Sequence, residues 1–453
     1  MSYTTMPTTN LRLASLLDRG AWLQRNNLII EARSDGGYTS ITYEQHLLQA
    51  KKIALALAAA GIRRGDRVAT CCWNTNRHLQ LYHCIPCMGA VLHPLNIRLG
   101  RTEQSYIIKH AGDQVVFVDE DLLPSIVHCD VEVLSQLKLV VITNEDSKPV
   151  PKKSLGNLIA AGVRIVNLAQ FLAPLATPAG TQEARDYQWP EDIDENAAAG
   201  ICYTSGTTGS PKGVVYSHKS TYIHTLAMPG KDNHNAGGAD VLLPVVPYFH
   251  ANGWGIPFMT LMLGSRIVHN RHMTDPMSIL RICIDQGVTH SAAVPTIWQT
   301  LRTTLEADVA AFKGKFKVRQ VLCGGSAPPN EMMDWYDKEF GVSFVQGWGM
   351  TETSPMGTFG RRISHFHHLR MTPQEQFSNI TRAGVPAAGL EIKIVDPDDF
   401  SKDLPNDGVA QGELLARGPW VTTKYFNTNR GSFVQPGNWL ATGMHVKTQC
   451  SAG

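Results

Sequence analysis

Short apolar runs recur along this chain at helix-length spacing, and that rhythm restricts the fold more than any other feature. Arg67-Val-Ala-Thr-Cys71, Gly89-Ala-Val-Leu-His93, Gln114-Val-Val-Phe-Val118 and Lys138-Leu-Val-Val-Ile142 are each strand-sized and follow helical patterns. Such runs suit a parallel sheet covered by helices on both faces. The rhythm resumes in Val241-Leu-Leu-Pro-Val-Val246, Ser265-Arg-Ile-Val268, Val288 to Val294 and Val318-Arg-Gln-Val-Leu322. The expected fold class is therefore α/β: two doubly wound, largely parallel sheets with helices on both faces. From about Gly389 the pattern changes. Leu390-Glu-Ile-Lys-Ile-Val395 and Glu413-Leu-Leu-Ala416 have no helix-length segment between them, which predicts a small β-rich subdomain.

Residues 1–40 predict one helix, Leu11 to Arg25, with Leu13, Leu16, Leu17 and Trp22 as its apolar positions. Thr42 and Gln45 form a capping box for a second helix; its Leu47, Ile53 and Leu57 share a face, and Gly61 stops it. Another runs through Leu79 and Leu81. Asp146 to Leu155 and Pro174 to Glu195 are polar, proline-bearing connections. The expected organisation is a large domain over 1–443. It divides into α/β subdomains at about 1–195 and 196–388 and the β-rich subdomain at 389–443, with 444–453 as an unmatched tail.

At 453 residues the chain is too long for one small core. With 18% charged and 43% hydrophobic residues it should fold rather than stay disordered. A net charge of +2 gives no reason to expect nucleic acid or an anionic membrane. No apolar run approaches the roughly 18 residues that span a bilayer. The N-terminus lacks the basic start and apolar core of a secretory signal. Nine cysteines, mostly within apolar runs, predict reduced, buried thiols in an intracellular protein. Cys84-Ile-Pro-Cys87 has C-x-x-C spacing, but it lies in an apolar segment without a second pair, which argues against redox or zinc chemistry. His365-Phe-His-His368, among Arg361, Arg362 and Arg370, reads as a solvated loop rather than a metal site.

The chemistry centres on Tyr203-Thr-Ser-Gly-Thr-Thr-Gly-Ser-Pro-Lys-Gly-Val-Val-Tyr-Ser-His218, which follows the buried run Ala197-Ala-Ala-Gly-Ile-Cys202. Thr204 to Pro211 consists of hydroxyl residues, two glycines and a proline, and Lys212 follows at once. Glycines let backbone N–H groups close around an anion, hydroxyls donate more hydrogen bonds, and lysine adds a mobile charge. This is a phosphate cradle by composition. It is not the G-x-x-x-x-G-K-[ST] loop, because Pro211 precedes Lys212 and Gly213 follows it.

The string resembles the signature loop of the adenylate-forming ligases: acyl-CoA synthetases, firefly luciferase and peptide-synthetase adenylation domains. The resemblance implies that Thr204, Ser205, Gly206, Thr207, Thr208, Gly209 and Lys212 hold the pyrophosphate part of ATP while a carboxylate attacks the α-phosphate. Four more stretches match. In Pro247-Tyr-Phe-His-Ala-Asn-Gly-Trp254, His250 is implied to border the reacting carboxylate and Trp254 to gate an acyl tunnel. In Cys323-Gly-Gly-Ser-Ala-Pro328, Gly325 and Ser326 are implied to lie along the adenine. Gln346-Gly-Trp-Gly-Met-Thr-Glu-Thr353 is the most specific: Trp348, between Gly347 and Gly349, can stack on a purine. Gln346 belongs to the same nucleotide-binding stretch. Thr351 can donate to the α-phosphate, and Glu352 can ligate Mg²⁺ with Thr204 as its implied partner.

The fourth stretch, Gly437-Asn-Trp-Leu-Ala-Thr-Gly443, departs from the pattern. The family continues with an aspartate that accepts from both ribose hydroxyls, whereas Met444 stands here. A thioether is a weak acceptor. Losing a charged acceptor worth about 1.5–3 kcal/mol weakens nucleotide binding roughly ten- to a hundredfold. After Gly443 the resemblance stops, where the family would continue into a mobile domain of about a hundred residues. That domain carries the lysine that bridges acyl carboxylate and phosphate. The tail is accordingly expected to be a shifted reading frame, retained intron or alternative exon.

The stretches His250 to Trp254, Val321 to Pro328 and Gly418-Pro-Trp420 most resemble medium- and long-chain fatty acyl-CoA synthetases. The implied reaction joins a fatty acid to CoA through acyl-AMP, with ATP, Mg²⁺ and coenzyme A as cofactors, impaired by the departures after Gly443. The resemblance implies that Lys212, His250, Thr351 and Glu352 carry the chemistry. The alternatives are a non-catalytic nucleotide- or acyl-binding homologue and an aryl-acid CoA ligase. A homodimer is a further expectation, as is a cytoplasmic location, with a peroxisomal one open for a longer form.

Overall fold

In a computed structural model of the protein, residues 9–143, 151–204, 209–360, 371–428 and 433–449 are described. The helix Leu13–Leu23 buries Leu13, Leu16 and Leu17 as expected, but Trp22 is 79% exposed. The helix presses Gly20 against the helix Ile256–Leu263 so closely that a Cβ there would meet the Leu261 carbonyl oxygen. At about 100° per residue Trp22 falls on the far side of that contact. A hairpin unanticipated from the sequence follows, β1 (Leu28–Ala32) and β2 (Tyr38–Thr42). The helix Tyr43–Ala59 then starts on the expected capping box of Thr42 and Gln45.

Five parallel pairings and one antiparallel pairing build the first sheet. Its strands are β3 (Arg67–Cys71), β4 (Val91–Pro94), β5 (Asp113–Asp119), β6 (Leu139–Thr143), β7 (Arg164–Asn167), β8 (Ala198–Tyr203) and β9 (Gly213–Ser217). The order is β7-β6-β5-β3-β4-β8-β9. The second sheet adds β10 (Val241–Pro244), β11 (Arg266–His269), β12 (His290–Ala293), β13 (Gln320–Cys323), β14 (Ser343–Trp348), β15 (Thr358–Phe359) and β16 (Val385–Pro386). It runs β16-β15-β14-β13-β12-β10-β11-β1-β2. A smaller antiparallel sheet holds β17 (Glu391–Val395), β18 (Asp407–Arg417), β19 (Val434–Gln435) and β20 (Trp439–Gln449), in the order β17-β18-β20-β19. The α/β class with a small β-rich unit is therefore the observed architecture.

Sheet membership does not follow the expected break near residue 195. β8 and β9, which flank the phosphate loop, belong to the first sheet through Leu92–Gly200 pairing, and β1 joins the second through Ile29–Ile267. Such pairings are long-range, so local periodicity does not reveal them. The stretch Pro174 to Glu195, expected to be a plain connection, contains the helix Pro178–Asp186, with the Thr177 hydroxyl accepting from the Gly180 N–H.

Asn74, just beyond β3, ties the two large sheets together. Its side-chain amide donates to the Pro244 and Val246 carbonyls at 3.0 and 2.9 Å and accepts from the Tyr248 N–H at 2.9 Å. Tyr82 donates to the Tyr248 carbonyl at 2.5 Å, and Tyr248 and His269 share a hydrogen bond of 2.7 Å. Cys84 and Cys87 are fully buried on the helix Asn76–Cys87, and all eight cysteines of the described residues are free and buried. Among the described residues no cluster of metal ligands occurs and no helix is long and apolar enough to cross a membrane. His365 to His368 lie outside the described residues.

Candidate active site

The carboxyl ends of strands from both large sheets converge on two adjoining cavities. This is where helix-covered parallel sheets characteristically bind ligands, since strand ends present loops from several layers to one place. One cavity, of about 350 Å³, is lined by Asn96 beyond β4, Tyr203 and Thr204 at the end of β8, Gly209 and Lys212, and Thr351 and Glu352 beyond β14. His250 and Ala251, beyond β10, line it too and also line the second cavity, of about 180 Å³. The second runs between Trp254, Gly324, Gly325 and the Gly347–Thr351 segment, with Met228, Leu322, Met356 and Phe359 as apolar walls.

The first cavity is the polar one. The Thr204 N–H donates to the Lys212 carbonyl at 2.9 Å, closing the loop between β8 and β9 at its base. The Lys212 ammonium lies 5.0 Å from the centre of the Tyr425 ring. Glu352 is buried, yet only one of its carboxylate oxygens is engaged: Oε1 accepts from the Tyr425 hydroxyl at 2.6 Å. Oε2 has no hydrogen-bond partner among the described residues. Burial, with Glu352 beside it, pushes the Tyr425 phenol up, so it stays protonated and donates. Tyr216 on β9 likewise donates, to the Thr351 carbonyl at 2.8 Å, its phenol pushed up by burial.

A carboxylate oxygen and an ammonium without hydrogen-bond or ion-pair partners among the described residues, together with threonine hydroxyls, suit a magnesium–nucleotide phosphate. Thr204 and Glu352 would hold the cation and Lys212 the phosphate.

The segment bearing His250 is bent into an uncommon conformation. Ala251, Asn252 and Trp254 all have positive φ (38°, 56° and 55°), as do Gly253 and Gly255 on either side of Trp254. This left-handed turn aims Trp254 across the second cavity, where its ring would touch a Cβ placed on Gly324 at 3.3 Å. Desolvation by the walls, and then the charge of Arg98, push the His250 pKa down, so the ring is neutral. A neutral imidazole can donate to a carboxylate without being fixed in an ion pair.

The structure thus brings together Thr204, Gly209, Lys212, His250, Trp254, Gly325, Gly347, Trp348, Gly349, Thr351 and Glu352. Ser326 is exposed and Gln346 is buried in β14, and neither lines either of these two cavities. Ser205, Gly206, Thr207 and Thr208 lie outside the described residues. Sequence reasoning missed Tyr425, Tyr216 and Asn96. Tyr216 lies in the singled-out Tyr203–His218 string but was given no role there, whereas Tyr425 and Asn96 lie outside every singled-out stretch and only their positions in space link them to the site.

A family profile described as "AMP-binding enzyme" matches residues 22–426. A medium-chain-fatty-acid–CoA ligase of Ectopseudomonas oleovorans is 34% identical over 438 residues, 97% of this chain and 76% of the relative. A 3-methylmercaptopropionyl-CoA ligase of Ruegeria lacuscaerulensis is 35% identical over 439 residues, with the same shares covered. The chain thus spans about three quarters of the length of these relatives. A crystal structure of the anthranilate CoA ligase AuaEII with anthranoyl-AMP superposes with a TM-score of 0.79. The superposition covers 98% of this chain and 77% of that one, and at 21% identity it speaks for the fold alone. From motifs, sheet order and profile together, the chain belongs to the AMP-binding enzyme family.

Proposed function

We propose that the chain is an acid–thiol ligase of the acyl-CoA synthetase type, acting on a fatty acid with ATP and CoA. One observation carries the reading: His250 and Thr351 line both cavities, so an apolar acid pocket and a phosphate site meet at the same side chains. An acid in the apolar cavity presents its carboxylate at that junction. One carboxylate oxygen then bonds to the α-phosphorus of ATP as the bond to the β-phosphate breaks, giving acyl-AMP and pyrophosphate. In the second half, the CoA sulfur bonds to the acyl carbon, AMP leaves and the thiol proton is released.

Two anions must approach each other in the first half, so charge neutralisation and positioning are the protein's main tasks. Lys212 offsets charge on the leaving pyrophosphate, Thr351 donates to the α-phosphate, and neutral His250 donates to the carboxylate. Mg²⁺ held by Thr204 and Glu352 would neutralise further phosphate charge. Trp348 offers the adenine a flat face. The relatives named as fatty-acid and methylmercaptopropionyl ligases support an aliphatic acid, and the apolar walls of the second cavity agree.

The test is pyrophosphate release and acyl-CoA formation by the purified chain across a panel of aliphatic and aromatic acids. Thioester with medium-chain acids is expected; thioester only with benzoate-type acids would replace the fatty acid by an aryl acid. The second reading, a nucleotide- or acyl-binding homologue without turnover, is favoured by Met444 beside Trp348. It predicts bound nucleotide with neither product.

A further inference from the structure

Tyr425 touches both charged residues at the phosphate end of the site, though it is 73 residues from Glu352 in sequence. Its hydroxyl donates to Glu352 Oε1 and its ring lies under the Lys212 ammonium. The strap that carries it, a run of turns and bends over residues 418–428, is pinned at several points. The Ser354 hydroxyl donates to the Trp420 carbonyl at 2.7 Å, and the Trp420 indole N–H donates to the Met356 carbonyl at 2.8 Å. The Thr422 N–H donates to the Glu352 carbonyl at 2.8 Å, and the Phe426 N–H to the Gly213 carbonyl at 2.7 Å. The strap is therefore fastened to the Glu352 turn on one side of Tyr425 and to the base of the phosphate loop on the other.

Resting on the proposed ATP-dependent function, we propose that Tyr425 is a positioning residue: it orients the Glu352 carboxylate for a divalent cation and holds Lys212 beside the phosphate site. A hydrogen bond to Oε1 leaves Oε2 as the oxygen offered to the cavity, so the carboxylate need not be ordered when a metal–nucleotide arrives. The face of the ring attracts the ammonium without competing through a full charge, so a phosphate can draw Lys212 away. A carboxylate at the ring's position would bind the lysine far more firmly and oppose that transfer.

The test measures ATP binding by calorimetry, in Mg²⁺ and in EDTA, for the wild-type chain, Tyr425→Phe, Glu352→Gln and the double variant. Tyr425→Phe keeps the ring and removes only the hydroxyl. It should weaken binding in Mg²⁺ roughly tenfold, as loss of a hydrogen bond to a charged group does, and leave binding in EDTA unchanged. Adding Tyr425→Phe to Glu352→Gln should cost nothing more, because the tyrosine acts through the carboxylate. A wild-type chain that shows no metal-dependent ATP binding overturns the proposed function and this inference together. Wild-type binding that Tyr425→Phe leaves intact in Mg²⁺ overturns this inference alone. So does an equal loss in EDTA, or full additivity in the double variant, since either marks a merely structural role. Unchanged circular dichroism and melting of each variant confirm that the comparison is between folded chains.

Discussion

The indole N–H of Trp348 donates to the sulfur of Met444, 2.9 Å from Nε1 to Sδ. The contact joins the end of β14 to the middle of β20, and Met444 is 38% exposed beside the aromatic platform. A thioether meets one donor weakly and offers a nucleotide sugar little more. Met444→Asp places a charged acceptor there, and ATP binding should tighten roughly tenfold. Calorimetric titration of both chains with ATP checks this. Equal affinities would mean that the ribose does not reach β20.

Asn74 is the clearest structural anchor of the site. Removing its amide by Asn74→Ala leaves the Pro244 and Val246 carbonyls and the Tyr248 N–H without their partner in a buried place. At about 1–3 kcal/mol per unsatisfied buried group, a loss of at least 3 kcal/mol is expected. Urea unfolding midpoints measure it, and a change below 0.5 kcal/mol, roughly that of a neutral surface substitution, would remove Asn74 from this role.

Buried histidines should make the protein acid-sensitive. Burial pushes His224 and His269 down to about 3, and His78 and His218 down to about 4. The ordinary value is about 6.5. These rings are neutral when folded and take up protons when unfolded. Their stability contribution is therefore complete above pH 6.5 and is lost as pH falls from 6.5 towards 4 and 3. Each costs about 1.4 kcal/mol per pH unit in that window. Melting temperature should be flat from pH 8 to 7 and fall progressively below 6.5. A flat profile down to pH 4.5 would show that these rings are not the neutral, desolvated groups described.

Trp254 offers an unusual reversal. Its φ of 55° costs a residue with a Cβ roughly 1–2 kcal/mol that glycine avoids. Trp254→Gly should therefore be more stable than Trp254→Ala by about 1 kcal/mol, opposite to the usual order. Both should open the second cavity, shifting relative kcat/KM towards bulkier acids. Denaturant midpoints and a competition between hexanoate and dodecanoate test the two parts separately.

Much of this was legible in the chain. The strand cores from Arg67 to Leu322, the capping box at Thr42 and the β-rich end were visible as periodicity, because side-chain alternation and caps are local. The motif residues around Thr204, His250 and Glu352 were legible because each must lie at the end of a strand, within one continuous backbone segment. Trp22 was misread because the apolar count of a helix does not say where its tightest contact falls; Gly20 decided that. The sheet assignment of β1, β8 and β9 was not legible, since pairing partners stand tens to hundreds of residues away.

The sequence by itself determined which chemical groups are present and that strand ends carry them: a hydroxyl- and glycine-rich loop with Lys212, a Trp348–Glu352 motif, and Met444 after Gly443. Only the tertiary structure decided how they are held: Tyr425 on Glu352 and Lys212, Tyr216 on the Thr351 carbonyl, and Asn74 across two sheets. Local pattern follows from the geometry of one backbone segment, whereas these contacts arise when separate segments share one buried volume, where each polar atom must find its partner in space.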